Sequence, residues 1–313
     1  MDDAIHDALG RHGPYEPIQQ LQSDDRNLVA EVAFEGTHAV CKVARDEPTG
    51  VDRDAAIHEL LRRRAIVQVP TVLAASEGCL VTEHRGVSYD GGASLATRRA
   101  RLRSVGATMA RVHRATAFES VGDLRPTDDG LVLDADPSWR ERFLAFTKQR
   151  RKLHDGGPFE HVADAVLDAV CEHAGIFADA GEAVLVHGDF EADNVRFQPD
   201  GTDVAAVVDW ELARAEPGEF DLARAELGWF LKPSSPEAGS DLRGAIRDGY
   251  RTVRPLPPGS DARRRLYRAA LTLGPLSYID DVAERAGVPE EDLTDSTVTY
   301  IYDCLDDAEE VFA

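Results

Sequence analysis

Lysine is nearly missing from this chain. Lys42, Lys148, Lys152 and Lys232 are the only four among 313 residues, and every other basic side chain is arginine. Acidic groups outnumber basic ones 57 to 35, giving a net charge of −22. A surface of that sign repels phosphate, so neither nucleic acid nor an anionic membrane is an expected partner. The acids are spread along the chain rather than blocked in a tail. With so little lysine, that pattern suits solvation in concentrated salt, where the Debye length falls to roughly 3 Å at 1 M. Cysteine is also sparse. Cys41, Cys79, Cys171 and Cys304 form no C-x-x-C pair, which speaks against a zinc site or a disulfide framework and predicts small core residues instead. No run of eighteen apolar residues occurs, and the acidic start MDDAIHDALGRHG lacks the regions of a signal peptide, so a soluble cytoplasmic protein is expected. Internal repeats and low-complexity tracts are absent as well.

What is present is enough chain for a substantial core, with an ordinary hydrophobic content of 43%. The organisation changes once, near residue 90. Before it, strands are predicted at 17–22, 28–34 and 37–44, the last two joined by a Glu35-Gly36 turn. A helix follows over 53–65, with Ile57 and Leu61 on one face, and apolar segments at 69–74 and 79–83 complete a small sheet. Residues 85–94 (RGVSYDGGAS) read as a linker. Ser94 then caps a helix through Ala115, on which Leu102, Val105, Met109 and Val112 form an apolar stripe. Further helices are predicted over 137–153, 160–178, 219–231, 240–253, 261–286 and 295–312, and only 183–210 interrupts them with strand character. The expected division is therefore 1–84, a hinge at 85–94, and 95–313.

The chemistry concentrates in that interruption. Residues 184–197 read VLVHGDFEADNVRF: an apolar strand, a polar cluster, then a second strand. A turn at 198–202 (QPDGT) and the apolar run 204–208 make a hairpin. Centred near residue 201.5, it is expected to place Asn194 opposite Asp209. Facing residues of an antiparallel pair have Cβ atoms about 4.5 to 5.5 Å apart, close enough for two oxygen-bearing side chains to share a hard cation. Asp189 lies in the loop feeding the same end, a further carboxylate beside that site.

HGD-x-x-x-x-N followed by VVDWE resembles the catalytic segment of the aminoglycoside phosphotransferase and choline kinase family, relatives of the protein kinases. The resemblance implies an α+β, bilobal protein-kinase-like fold, with a small antiparallel-sheet lobe carrying one helix and a larger, mainly helical lobe. It implies ATP and Mg²⁺ as cofactors. Asp189 would accept the proton of an acceptor hydroxyl, while Asn194 and Asp209 would hold Mg²⁺ on the phosphates. His187 would support the catalytic loop, and Asp221, in EFDLA, would brace it. Lys42, an isolated cation in the apolar strand AVCKVA, matches the family's phosphate-contacting lysine. Its acidic partner is expected to be Asp54, about 60° from Ile57 around the helix, rather than Glu59 at about 160°. The strand containing Thr82, Glu83 and His84 matches the hinge whose backbone binds adenine. The match covers roughly residues 17–230. It departs from the pattern in having no G-x-G-x-x-G, the turn at 23–27 (SDDRN) standing there instead, and in carrying aspartate rather than glutamate as the lysine's partner.

Glu191, Asp193, Glu211, Glu216 and Glu219 are candidates for lining a cationic acceptor's pocket, although a chain this acidic is enriched in such residues by composition alone. The arginine triplets at 62–64 and 263–265 read as solvated helix faces. The leading reading is a kinase that phosphorylates a hydroxyl of a small molecule, such as an amino sugar, a choline-like amine or a sugar. Two alternatives stand beside it: a kinase-like module that binds nucleotide without turnover, and a metal-dependent phosphoesterase using His187, Asp189 and Asp209. Oligomeric state is not legible.

Overall fold

A computed structural model describes residues 3–23, 25–66, 68–128, 130–231, 233 and 235–312. Lys232 and Asp24, one residue of the 23–27 turn, lie outside the described residues. The first lobe opens with helix α1 (Asp3–Leu9) and strands β1 (Tyr15–Ser23), β2 (Asn27–Phe34) and β3 (Thr37–Ala44). Helix α2 (Thr49–Arg63) and strands β4 (Val72–Ser76) and β5 (Cys79–Glu83) complete it. The sheet is antiparallel with order β1-β2-β3-β5-β4.

Strand periodicity gives this sheet two unlike faces. Leu28, Ala30, Val32, Phe34, Ala39, Cys41 and Val43 point one way and pack with Ile5 and Leu9 of α1. The register pairs Val29 with Lys42, so Val29, Glu31, Val40 and Lys42 share the opposite, half-buried face. α1 is a second helix where one was expected; its apolar pair Ile5 and Leu9, four residues apart, covers the sheet. Helix α2 packs elsewhere: Ile57 and Leu61 join a core with Leu102, Val105, Phe197, Trp210 and Trp229, all from beyond the hinge.

The larger lobe begins with α3 (Leu95–Ala115), whose first turn is capped by Ser94 accepting from the Thr97 amide at 3.2 Å. It continues through strands β6 (Gly122–Thr127) and β7 (Gly130–Ala135), helices α4 (Trp139–Lys152) and α5 (Glu160–Glu172), and strands β8 (Ala183–Val186), β9 (Val195–Phe197), β10 (Val204–Val207) and β11 (Arg214–Pro217). Helices α6 (Gly218–Phe230), α7 (Gly244–Arg251), α8 (Ser260–Leu276), α9 (Ile279–Ala286) and α10 (Glu290–Phe312) close it. The arrangement is the expected α+β fold of a small sheet lobe and a larger, mainly helical one. Strand content in the second lobe is higher than anticipated: β7-β6-β11-β8 form a four-stranded sheet beside the β9-β10 hairpin. The helix expected over 261–286 is two helices, α8 ending just past Pro275, which cannot continue the hydrogen-bond ladder.

Two other expectations are corrected. Arg263 and Arg264 are not on a solvated face but buried, at 2% and 9% exposure. Arg263 forms a two-bond ion pair with Glu219 at 2.5 and 3.0 Å, which also accepts from the Tyr267 hydroxyl at 2.9 Å. These contacts stitch α8 to α6. Of the cysteines, Cys41, Cys79 and Cys304 are buried, whereas Cys171 is exposed. No described helix is long and apolar enough to cross a membrane.

Candidate active site

The hairpin register differs from the expected one by a single residue. Val195 pairs with Val207 and Arg196 with Ala206, but Phe197 pairs with Val204, so an irregularity at Ala205 shifts the strands. Asn194 consequently faces Val208, whose amide donates to the Asn194 carbonyl at 3.0 Å. Asp209 lies one step beyond the pairing and turns away in a left-handed conformation (φ 68°, ψ 61°), uncommon for a residue with a side chain. That turn carries its carboxylate to the small lobe.

There it meets Lys42. The ammonium is within ion-pair distance of three carboxylates: Asp54 at 3.3 Å, Glu211 at 3.1 Å, and Asp209 in the tightest contact. Burial alone would lower the lysine pKa, but the charges of Asp54, Asp209 and Glu211 raise it above its ordinary value, so the side chain stays protonated. Asp54 is fully buried. Burial pushes its carboxyl up, and the His58 hydrogen bond, the Lys42 charge and the Trp210 amide outweigh that and hold it down at about 2. Asp54 Oδ1 accepts from Trp210 N–H at 3.1 Å and lies 3.3 Å from His58 Nε2. Its helix neighbour Arg53 donates to the Leu124 carbonyl at 2.6 Å and to the Glu211 carbonyl. The sequence choice of Asp54 over Glu59 agrees with this geometry; Glu59 pairs at the surface with Arg62 and Arg63.

On the other side of the cleft, β8 runs into His187-Gly188-Asp189. Gly188 has φ 83°, and a Cβ there would sit 2.6 Å from the Leu212 carbonyl, so the loop can pass only as glycine. The amides of His187 and Gly188 both donate to Asp221, each at 3.0 Å, and Asp221 lies 3.3 Å from His113 Nε2. His187 is buried. Its Nε2 donates to the Val208 carbonyl at 3.0 Å while Nδ1 accepts from the Asp189 amide at 3.2 Å, the pattern of a neutral ring, and burial keeps its pKa below the usual histidine range. Both nitrogens are engaged, so the ring is neither a metal ligand nor a base here. The Asn194 amide nitrogen donates to the Asp189 carbonyl at 2.9 Å and to its carboxylate at 3.1 Å.

At the expected hinge, the amide of Glu83 donates to the Thr71 carbonyl and that of His84 to the His38 carbonyl, both at 2.9 Å. Those two donors serve the sheet. Thr82 is buried, and Val87 bridges to Phe197 of β9, tying the segment 85–94 to the β9-β10 hairpin. His38 and His84 stack at 4.1 Å with both Nε2 atoms toward Glu31, at 3.2 and 3.6 Å. Alternation along β2 and β3 puts Glu31 and His38 on the Lys42 face of the sheet.

The candidate pocket acids separate. Glu191 lines a cavity of about 1080 Å³ whose walls also include Gly188 and Asp189. Glu211 does not: it is held against Lys42, Arg26 at 3.4 Å and the Asn27 amide at 2.8 Å, on the small-lobe side. Glu216 is paired with Arg142 at 2.9 Å and Glu219 with Arg263, so both are structural; Asp193 is exposed and outside the cavity lining. Sequence reading missed His58, His113 and Tyr250, whose hydroxyl is 3.0 Å from His113 Nδ1. The visible signal for His113 was a polar residue next to the apolar stripe of α3.

Comparison with known proteins places this geometry. The chain is similar to the aminoglycoside phosphotransferase APH(4)-Ia, solved as a ternary complex with ADP and hygromycin B, at 17% identity with a TM-score of 0.68 over 97% of this chain and 98% of that one. It is similar also to a Thermobifida fusca protein provisionally named a fructosamine-3-kinase, at 20% identity and a TM-score of 0.62 over 96% and 99% of the two chains. A 52-residue stretch is 44% identical to acyl-CoA dehydrogenase family member 10 of Mus musculus, covering 17% of this chain and only 5% of that protein's length. The sequence model of the family described as phosphotransferase enzymes matches residues 17–256, so the chain belongs to the phosphotransferase enzyme family.

Proposed function

We propose that the protein transfers the γ-phosphoryl group of ATP to a hydroxyl of a small molecule, with Asp189 as the catalytic base. The observation that carries the reading is the double hydrogen bond from Asn194 to Asp189. It fixes the carboxylate in the wall of the large cavity, next to a residue whose other side-chain atom is a hard oxygen donor. Asn194 and Asp209 are the residues that would hold Mg²⁺. They suit it chemically: both offer oxygen, and the Lys42 cluster sets one ammonium against three carboxylates, an excess of negative charge that a divalent cation offsets. When bound, the ion would neutralise phosphate charge. Lys42 would contact the phosphates, and the hinge 85–94 would link nucleotide-binding residues 1–84 to the catalytic part, 95–313. With the Glu83 and His84 amides bonded within the sheet, the donors left for adenine lie at Arg85 and Gly86. His187 and Asp221 hold the loop in shape by backbone contacts. A cytoplasmic setting, where ATP is plentiful, suits the reaction, and the scarcity of lysine still favours adaptation to salt.

Titration of Mg²⁺-ATP, read by thermal unfolding, tests this with Asp209→Ala as control. At 100 times its Kd, nucleotide adds about 2.7 kcal/mol to stability. Stabilisation that needs the metal and vanishes in Asp209→Ala supports the site. Wild-type protein that melts at the same temperature with and without Mg²⁺-ATP removes it.

A further inference from the structure

The cavity beside Asp189 reverses the charge of the molecule around it. Acids exceed bases 57 to 35 over the chain, yet five arginines line this space: Arg150, Arg214, Arg224, Arg243 and Arg285. The carboxylates along it number four: Asp189, Glu191, Asp295 and Asp303. Asp295 and Asp303 belong to α10, whereas Arg150, Arg214 and Arg224 come from α4, β11 and α6. β11 pairs with β8, the strand that delivers the catalytic loop, and Arg214 sits opposite Val186, directly before it.

These three arginines are half-buried. Arg150 lies over the Phe146 ring at 5.0 Å and Arg224 over the Phe220 ring at 4.6 Å, so each planar fork is held in place. Arg214 has one long contact, 3.5 Å to Asp123, and among the described residues no carboxylate lies within ion-pair distance of Arg150 or Arg224. Burial lowers the Arg150 pKa, and the neighbouring charges of Arg224 and Arg214 lower it further. Like charges gathered with only the long Asp123 contact on Arg214 as an ion pair are unfavourable unless an anion joins them, and an arginine fork matches carboxylate and phosphate oxygens two at a time.

We propose that the acceptor carries an anionic group, carboxylate or phosphate, that seats on Arg150, Arg214 and Arg224 and leaves its hydroxyl facing Asp189; this rests on the phosphotransferase reading. In the step itself the γ-phosphorus forms a bond to the acceptor oxygen and loses its bond to the β-bridging oxygen. ADP leaves with that electron pair, and the hydroxyl proton passes to Asp189. A polycationic acceptor would meet repulsion at this wall.

The test uses matched small molecules: 4-hydroxybutyrate, 1,4-butanediol and 4-amino-1-butanol, and glycerol 3-phosphate beside glycerol. Each is titrated calorimetrically into the full chain with Mg²⁺-ADP present. The anionic member of each set is expected to bind at least about tenfold tighter than its counterparts, with a preference that shrinks as salt rises. Arg150→Gln and Arg224→Gln, checked for an intact melting transition, are each expected to cut that preference to less than about threefold. Equal binding of neutral or cationic members, no binding of either anionic member, or a preference indifferent to salt and to both substitutions overturns the proposal. ATP consumption with the same compounds separates the underlying reading: turnover undiminished by Asp189→Asn sinks the role of Asp189 while leaving the anion preference standing.

Discussion

The backbone amide of Trp210 donates to the carboxylate of Asp54 across 156 residues of chain, at 3.1 Å. Through that one carboxylate the residue after Asp209 is joined to the lysine of β3. Removing it leaves a buried amide without an acceptor and His58 without its carboxylate, while Lys42 keeps Asp209 and Glu211. Asp54→Ala is therefore expected to lose about 1 to 3 kcal/mol, the usual cost of leaving a buried polar group unsatisfied. Urea unfolding should show a lower midpoint with an unchanged slope; a midpoint within error of wild type would mean the contact is not structural.

The same carboxylate gives the fold an acid signature. Its pKa is depressed in the folded state to about 2, against roughly 3.9 when unfolded. The stabilisation is thus fully present above about pH 4 and is lost as pH falls through the folded value, on the order of 2 to 3 kcal/mol between those limits. Stability measured from pH 5 down to 2 should be flatter in Asp54→Asn than in wild type. Curves of identical slope would assign the acid sensitivity to other carboxylates.

Asp189→Asn keeps the shape of the side chain and removes the proposed base. Turnover of any accepted substrate is expected to fall by about 10² to 10⁴, with little change in nucleotide affinity. Steady-state rates alongside nucleotide titration distinguish this from a folding defect. A rate loss below about threefold would place the base elsewhere.

The buried pair between α6 and α8 should behave asymmetrically. Arg263→Met alone strands Glu219 at 3% exposure and is expected to cost about 3 to 5 kcal/mol. The double variant Arg263→Met, Glu219→Met should regain much of that, though Tyr267 loses its acceptor. A double variant less stable than the single one would show the pair to be a net source of stability.

The lobes and most helices were legible because their signals are local: strand alternation, the Ser94 cap, the apolar stripe of α3. The hairpin β6-β7 was not, since GDLRPT and GLVLDA are polar or mixed segments whose strand character comes from pairing with each other and, for β6, with β11. Around the site, motif spacing brought Asp189, Asn194 and Asp209 into one region, and helix geometry selected Asp54. The register at Asn194 escaped because the irregularity at Ala205 has no glycine or other local marker. Arg263 was read as solvent-facing because its partner, Glu219, is distant in sequence, and the pairing of Glu211 with Lys42 was hidden for the same reason.

Helix α2 lies between β3 and β4 in sequence, yet many of its ties cross to the second lobe: Ile57 and Leu61 pack in the large core, Arg53 reaches the carbonyls of Leu124 and Glu211, and Asp54 the amide of Trp210. It is held to its own lobe as well, Asp52 accepting from the Gly78 amide at 2.8 Å and Asp54 pairing with Lys42. The helix is thus a rivet driven through both parts of the chain, and swinging it outward would have to break all these ties together.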